Sequence, residues 1–415
     1  MHQVDHVVLQ ARIISASRFR EALDSCRALL NKQIALLPLP ADWKVSTPDL
    51  PSLMGATHTT LPAGTLIACT SGSTGTPKGA QLGPEQLEAS YNATHSFLHE
   101  SFSGRPGPWL LALPAHHIAG IQVILRSLRS GFEPLLASHL AHSTPFTPAG
   151  FIDDVAALRR HYPTEHLYTS LVPAQLERIA TDRGAVAALT EFTCVLAGGA
   201  AVRPALAEQL RAAGVTIVES YGSSETAGGV VYDGRAIPGA RVTIEDADER
   251  GVGTVVVAGP MVARGYLNVP GFPAFASGSY RTSDIGVFGR DATLRILGRA
   301  DGAVNSGGYK VLPEEVEDAI HSHVPGVVAT VAVGVDYPEL GQAVHAVIEF
   351  RESGTQVPLA DEPVEITREV REALRGAVAR HLVPKRAWRV RQIPLIGPGK
   401  VDRRGVAELV GRLGQ

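Results

Sequence analysis

Apolar residues are distributed along this chain in two rhythms. From about Leu66, short contiguous apolar runs alternate with longer segments in which apolar positions recur every three or four residues, the pattern of buried strands interleaved with amphipathic helices. Leu66 to Thr70 reads as a strand, and Pro84 to Leu98 as a helix with proline in its first turn. Trp109 to Leu113, His166 to Val172, Phe192 to Ala197 and Val215 to Glu219 read as buried strands, each followed by a turn signal or a helix. Crossovers of this kind lay successive strands side by side in one direction, so a mostly parallel sheet covered on both faces is predicted.

After Val242 the rhythm changes to short β-type runs (TVVVAG, LRIL) separated by Gly and Asp, which predicts a compact antiparallel β unit. A second change falls near Arg299. Beyond it the sequence predicts a helix (Pro313 to His321), paired strands (VATVAVGV and AVHAVIEF), a long helix (Glu365 to Leu382) and a last strand (WRVRQI). These make a small α+β domain of about a hundred residues, joined through the polar stretch Gly298-Arg-Ala-Asp301. The fold class is therefore α/β. A large N-terminal domain of mixed and parallel sheets covered by helices, with the β unit, is expected over residues 1–299, and the small C-terminal domain over 300–415.

Composition sharpens this picture. At 415 residues the chain exceeds what one hydrophobic core usually fills, and 45% hydrophobic with 19% charged residues excludes a disordered or fibrous chain. The 38 Lys and Arg are interleaved with 41 Asp and Glu for a net charge of -3, so no basic stripe for a nucleic acid is present. Cys26, Cys69 and Cys194 are far apart and set in apolar contexts, which reads as reduced core thiols. No stretch approaches the ~18 apolar residues that span a bilayer. No membrane insertion and a cytoplasmic location are expected.

The candidate chemistry begins at Thr70-Ser71-Gly72-Ser73-Thr74-Gly75-Thr76-Pro77-Lys78-Gly79, directly after a predicted strand. Backbone N–H groups, hydroxyls and one cation concentrated in such a loop suit a phosphate chain. It is not the nucleoside-triphosphatase loop, because Lys78 is followed by Gly79 instead of Ser or Thr. Tyr221-Gly222-Ser-Ser224-Glu225-Thr226 follows another predicted strand, where a βα loop presents side chains at the sheet's carboxyl edge. Further along lie Tyr280-Arg-Thr-Ser-Asp284, Gly298-Arg299-Ala-Asp301, Gly307-Gly308-Tyr-Lys and Pro394-Leu-Ile-Gly-Pro-Gly-Lys400-Val-Asp-Arg403. A Gly-Pro-Gly turn ahead of a lone lysine can lift an ammonium clear of the domain surface.

Taken in order, these motifs resemble those of the adenylate-forming superfamily of acyl-CoA synthetases, adenylation domains and luciferases. The resemblance runs from about Leu66 to the carboxyl end, and the segment ahead of it is shorter than in most relatives. It implies ATP, Mg²⁺ and coenzyme A as ligands. Residues Thr70 to Thr76 with Lys78 would cradle phosphates, Tyr221 would lie against adenine with Gly222 also among the cofactor-binding residues, Ser224 would contact phosphate, and Glu225 would hold the metal. Asp284 and Arg299 would meet the ribose, Asp301 would carry the rotation of a mobile C-terminal domain, and Gly307 and Gly308 would reach the pantetheine tunnel. Lys400 would be the catalytic lysine. Ser224 stands where the family usually has Thr, and Gly302 where many relatives carry a second Asp.

The words HHIAGIQVILRSL, SLVPAQL and VVYDG are similar to the branch of the superfamily that acts on o-succinylbenzoate, an aromatic ring with two carboxylates. That likeness implies a small-molecule carboxylic acid as substrate, with His117, Arg126, Ser170, Gly228 and Gly229 around it and Arg126 steering one carboxylate. A surface ion pair for Arg126, and a core or helix-capping role for one of His116 and His117, remain open at this level. So do another aryl or acyl acid, a carrier-protein thiol as acceptor, and a homodimer as the assembly.

Overall fold

The computed structural model describes residues 5–70, 76–350, 362–396 and 400–413, with main chain alone at 395, 396 and 400. Residues 1–243, 256–282 and 289–294 form one compact unit, and residues 244–255, 283–288 and 295–415 a second.

Two sheets organise the first unit. The smaller has the order β3-β1-β2-β4-β5, built from β1 (His6–Ile13), β2 (Ala35–Leu39), β3 (Thr60–Pro62), β4 (Leu66–Thr70) and β5 (Lys78–Leu82). The segment ahead of Leu66, for which the sequence suggested no elements, thus supplies three of its five strands. The larger sheet comprises β6 (Trp109–Leu111), β7 (Leu135–Leu136), β8 (Leu167–Leu171), β9 (Phe192–Gly198), β10 (Ile217–Ser223), β11 (Gly228–Tyr232) and β12 (Arg235–Ala236), in the order β12-β11-β10-β9-β8-β6-β7. Pairing is parallel from β7 to β10 and antiparallel from β10 to β12.

Side chains alternate across a strand, and this alternation sorts the larger sheet's faces. Leu110, Leu167 and Leu171 join Phe151, Leu158, Leu176 and Leu206 of the helices Pro148–His161, Pro173–Ile179 and Pro204–Ala212 in one core. Trp109 and Tyr168, one position along each strand, stack at 5.2 Å on the opposite face. There the helices Pro84–Phe102 and Ile118–Arg129 lie over the sheet, tied by Ser127 Oγ accepting from Trp109 N–H and by Thr94 bonded to Tyr232.

The β-rich segment after Val242 forms β13 (Arg241–Glu245), β14 (Gly253–Ala258), β15 (Phe275–Ala276), β16 (Ser279–Phe288) and β17 (Leu294–Arg299). The division between units passes through β13, β14, β16 and β17.

The second unit carries β18 (Val304–Ser306), β19 (Tyr309–Val311), β20 (Val327–Tyr337), β21 (Gly341–Phe350), β22 (Val364–Glu365) and β23 (Arg386–Val390), ordered β19-β18-β21-β23-β22 with β20 paired to β21. Alternation again yields two cores: Ala332, Ala346 and Ile348 pack with the helices Pro313–His323 and Thr367–Leu374, while Val331, Val333 and Val347 pack with helix Arg403–Leu413. The predicted long helix from Glu365 to Leu382 is corrected. It runs only from Thr367 to Leu374, because Gly376 takes the left-handed φ of +73°, and Arg380–Leu382 is a separate 3₁₀ turn. The final helix Arg403–Leu413 was not anticipated.

All three cysteines are free; Cys26 and Cys194 are buried and Cys69 half-buried. Among the described residues no helix is long and apolar enough to cross a membrane.

Candidate active site

The expected βα loop is corrected: Tyr221 and Gly222 lie within β10, which ends in a turn made by its own side chains and leads into antiparallel β11 instead of a helix. Ser223 Oγ accepts from the Glu225 N–H at 3.2 Å, and Thr226 Oγ1 accepts from the Ser223 N–H at 2.9 Å while donating to the Gly228 carbonyl at 2.8 Å. Short hydroxyl side chains can thus replace ladder bonds and bend the chain. Ala227 and Gly228 follow at φ +52° and +94°. Gly222 is required by packing, since a Cβ there would lie 2.0 Å from the Gly228 oxygen.

The turn delivers Glu225 into the interior, where it is 5% exposed. Its Oε1 accepts a 2.6 Å hydrogen bond from Tyr266 Oη, and its carbonyl accepts from the Ala263 N–H at 2.8 Å. Burial and the adjacent carboxylate push the Tyr266 phenol well up, so it stays the neutral donor of this pair. Tyr266 carries no motif in the sequence, and the reading missed it.

The glycine-rich loop spans the hairpin of β4 and β5, whose last ladder pair is Thr70 with Lys78. Ser71, Gly72, Ser73, Thr74 and Gly75 lie outside the described residues. Thr76 is exposed, and the Lys78 ammonium stands 4.3 Å from the Phe272 ring centre and 5.5 Å from that of Tyr266. Asn268 fixes this end of the loop, accepting from the Gly79 N–H at 3.0 Å and donating to the Pro77 carbonyl at 2.9 Å. Residues 264–268 run beside β5 through Arg264 to Gln81 and Leu267 to Gly79 main-chain bonds. Lys78, Tyr266 and Glu225 therefore form one continuous group.

On the other side of the Glu225 turn lies helix Ile118–Arg129. Gln122 Nε2 donates to the Ala227 carbonyl at 2.6 Å, which also accepts from Ser90 Oγ at 3.0 Å. One helical turn on, Arg126 is 3% exposed; Nη2 donates to Thr94 Oγ1 at 3.1 Å and the guanidinium carbon stands 5.6 Å from the Trp109 ring centre. The surface ion pair left open for Arg126 is thereby ruled out by burial. Gly228 adjoins the same group, for a Cβ there would sit 3.9 Å from Arg126 Nη2 and 3.5 Å from Gln122 Cγ. Gly229 is confined by Ser220 and Tyr232, which a Cβ would approach at 2.3 Å and 2.7 Å. Ser170 is buried on β8 and shares a face with Tyr168, whose stacking partner Trp109 underlies Arg126. His117 is the residue ahead of the helix, its ring 4.1 Å from that of His116. Burial, then the neighbouring His117, lowers His116 to about 4, which keeps it neutral.

In the second unit the predicted ribose and hinge residues converge on one guanidinium. Arg299 Nε and Nη2 bond Asp301 Oδ1 and Oδ2 at 2.9 and 2.7 Å, and Nη1 approaches Asp284 Oδ1 at 3.5 Å. Gly307 and Gly308, at φ +56° and +84°, turn the hairpin of β18 and β19. Strands β24 (Leu395–Ile396) and β25 (Lys400–Val401) pair antiparallel and place the Lys400 main chain opposite Ile396. Behind them Arg403 bonds Glu317 Oε1 at 2.8 Å and the Ala332 carbonyl at 2.9 Å. The Gly-Pro-Gly turn and the Lys400 side chain lie outside the described residues.

A fold of this kind, with a glycine-rich hairpin loop beside a buried glutamate turn, defines an adenylate-forming enzyme, and the chain belongs to the AMP-binding enzyme family. That family's model matches residues 45–267, and the model of the AMP-binding enzyme C-terminal domain matches residues 315–400. The chain is thus an ATP-dependent acid:CoA ligase of the AMP-forming class. A Mycobacterium tuberculosis protein named "Probable 2-succinylbenzoate–CoA ligase" is 38% identical over 346 residues, covering 81% of this chain and 82% of that one. The o-succinylbenzoate CoA synthetase of Bacillus subtilis, solved with its acyl-adenylate intermediate, shares the fold at a TM-score of 0.75 and 20% identity over 96% of this chain and 88% of that one. MatB of Rhodopseudomonas palustris with bound ATP gives 0.77 and 21% over 99% and 90%.

Among the described residues no group of three His, Cys, Asp or Glu could hold a metal ion. Mg²⁺ needs less from the protein, being held by one or two carboxylates together with substrate phosphates and water. Glu225, a buried oxygen donor fixed by Tyr266, fits that demand.

Proposed function

We propose that this chain activates o-succinylbenzoate as its acyl-adenylate and transfers the acyl group to the thiol of coenzyme A. A carboxylate is a poor acylating agent because its leaving group would be oxide, and esterification to AMP removes that obstacle. The acid's oxygen attacks the α-phosphorus of ATP, pyrophosphate leaves, and charge grows on the phosphate oxygens. Catalysis is then positioning and electrostatic stabilisation, with no protein nucleophile.

In this reading Thr70, Thr76 and Lys78 flank the triphosphate, Tyr221 and Gly222 border the adenine, and Ser224 meets the α-phosphate. Glu225 would hold Mg²⁺, which supplies neutralisation of the phosphate charge when bound. Asp284 accepts hydrogen bonds from ribose hydroxyls, as an ionised carboxylate with two oxygens can. Lys400 neutralises the developing charge in the first half-reaction. Rotation about Asp301 exchanges it for the Gly307-Gly308 hairpin, which guides the thiol to the acyl carbonyl; the thioester forms as AMP departs.

The observation that carries the substrate choice is Arg126, a guanidinium 3% exposed beside Gly228. A buried cation of this kind is stabilised by a substrate bearing an anion besides the reacting one. The 38% identical mycobacterial relative supports the same choice. The test is pyrophosphate release with trapping of the product on CoA, across o-succinylbenzoate, benzoate and medium-chain fatty acids. Preference for o-succinylbenzoate is expected. Strong turnover of benzoate with none of the diacid overturns the substrate and leaves the reaction class standing.

A further inference from the structure

Among the described residues, no carboxylate receives the Arg126 guanidinium, which is taken out of water. The hydrogen bond it makes among the described residues is to the neutral Thr94 hydroxyl, and its Nε, also buried, has no hydrogen-bond partner. An arrangement that removes a cation from water and leaves one of its donors unused is stable only if something else fixes the group and an anion completes it.

What fixes it is visible on two further elements. Thr94, from helix Pro84–Phe102, is fully buried, and its Oγ1 lies 3.0 Å from Tyr232 Oη as well as 3.1 Å from Arg126 Nη2. A hydroxyl has one hydrogen and two lone pairs, so the bond to Tyr232 limits how Oγ1 can rotate and leaves a lone pair for the guanidinium. Tyr232, at the end of β11, is fully buried in turn and held edge-on by Phe97 at 4.9 Å. The planar fork of an arginine is oriented once one arm and one face are fixed. Here Thr94 takes the arm and Trp109 the face. His95 adds no competing charge, since burial and then Arg126 hold it down at about 4.

We propose that Thr94 and Tyr232 are positioning residues, a hydroxyl relay that aims the Arg126 guanidinium and thereby makes the site select acids with a second anionic group. This rests on the reading of Arg126 given above. It adds that selectivity resides in two neutral side chains that need not touch the substrate.

The test compares wild type with Thr94→Val, Thr94→Ser, Tyr232→Phe and Arg126→Gln, measuring KM for o-succinylbenzoate and for two monocarboxylate analogues that each lack one of its carboxylates. Thr94→Val is expected to raise the ratio of diacid KM to the KM of the analogue lacking the Arg126-facing carboxylate by about 10-fold, the scale of one hydrogen bond to a charged group. Thr94→Ser restores the wild-type ratio, and Tyr232→Phe moves it in the same direction as Thr94→Val by a smaller factor. If Arg126→Gln abolishes diacid preference while Thr94→Val and Tyr232→Phe leave the ratio unchanged, the relay is wrong and the reading of Arg126 survives. If wild type has no diacid preference, or Arg126→Gln keeps it, the underlying reading fails. A rise shared equally by every acid and by ATP marks a structural role and overturns the relay. Should Thr94→Val not fold, Tyr232→Phe carries the same comparison.

Discussion

The two groups of candidate site residues, one in each unit, hold their charges in opposite ways. In the first, Glu225 is 5% exposed and its partner is a neutral phenol; Arg126 is 3% exposed and its partner is a neutral hydroxyl. In the second, the Arg299 side chain is 51% exposed and its partners are carboxylates, Asp301 and Asp284. A neutral partner fixes a charge in place without cancelling it, which keeps the charge available for a ligand. An oppositely charged partner near water cancels it, and the bond contributes little to stability, so it can be exchanged when another partner arrives. The arrangement around Glu225 and Arg126 suits presenting charge, and that around Arg299 suits exchanging it.

The contrast can be broken most forcefully at Glu225. Glu225→Gln retains a hydrogen-bond acceptor for Tyr266 and removes the charge. Pyrophosphate release should fall by about 10²-fold or more, by analogy with losing one preorganised electrostatic group, and a Mg²⁺ titration should show weaker dependence on the metal. Full activity in this variant would show that the buried charge is unused. Tyr266→Phe removes the donor instead and should destabilise the protein by about 1–3 kcal/mol, the penalty for stranding a buried acceptor, as read by denaturant unfolding. The smallest effect is expected at Asp301→Asn, which weakens an exposed ion pair. Stability should change by less than about 1 kcal/mol, with the difference shrinking further in high salt. The balance between adenylate formation and thioester formation should shift visibly. A loss of several kcal/mol there would place Arg299 and Asp301 among fixed structural groups.

How far these features could be read from sequence depended on whether their cause was local. β4, β8 and β9 announce themselves as apolar runs; the segment around Glu225 reads as a loop into a helix, but it turns back into β11, bent by hydroxyl bonds that span two or three residues. The segment from Glu365 to Leu382 reads as one helix because its apolar spacing continues past Gly376, whereas the backbone helix ends at Leu374. β1 gave little signal, since along it only Leu9 is fully buried. Arg126 enters the sequence reading through a resemblance, but its environment is made by Thr94 and Tyr232, residues separated from one another by 138 positions. Gln122, on the same face one turn earlier, could have been found by helical spacing. Tyr266 could not, because nothing near it in the chain marks the carboxylate it meets.

The hydrogen bonds around the terminal hairpin set a mechanical condition on the lysine. Ahead of it, the Ile393 N–H donates to Glu349 Oε2 at 3.1 Å; behind it, the Asp402 N–H donates to the Pro394 carbonyl at 2.9 Å and Arg403 is fastened to Glu317 and Ala332. The main chain is thus moored to its own unit on both sides of the hairpin that carries residue 400. In the function proposed above, delivery of Lys400 is then work for the lobe as a whole, on the microsecond-to-millisecond scale of collective motions. On that proposal, the rate of the step that needs the lysine is expected to fall as solvent viscosity rises.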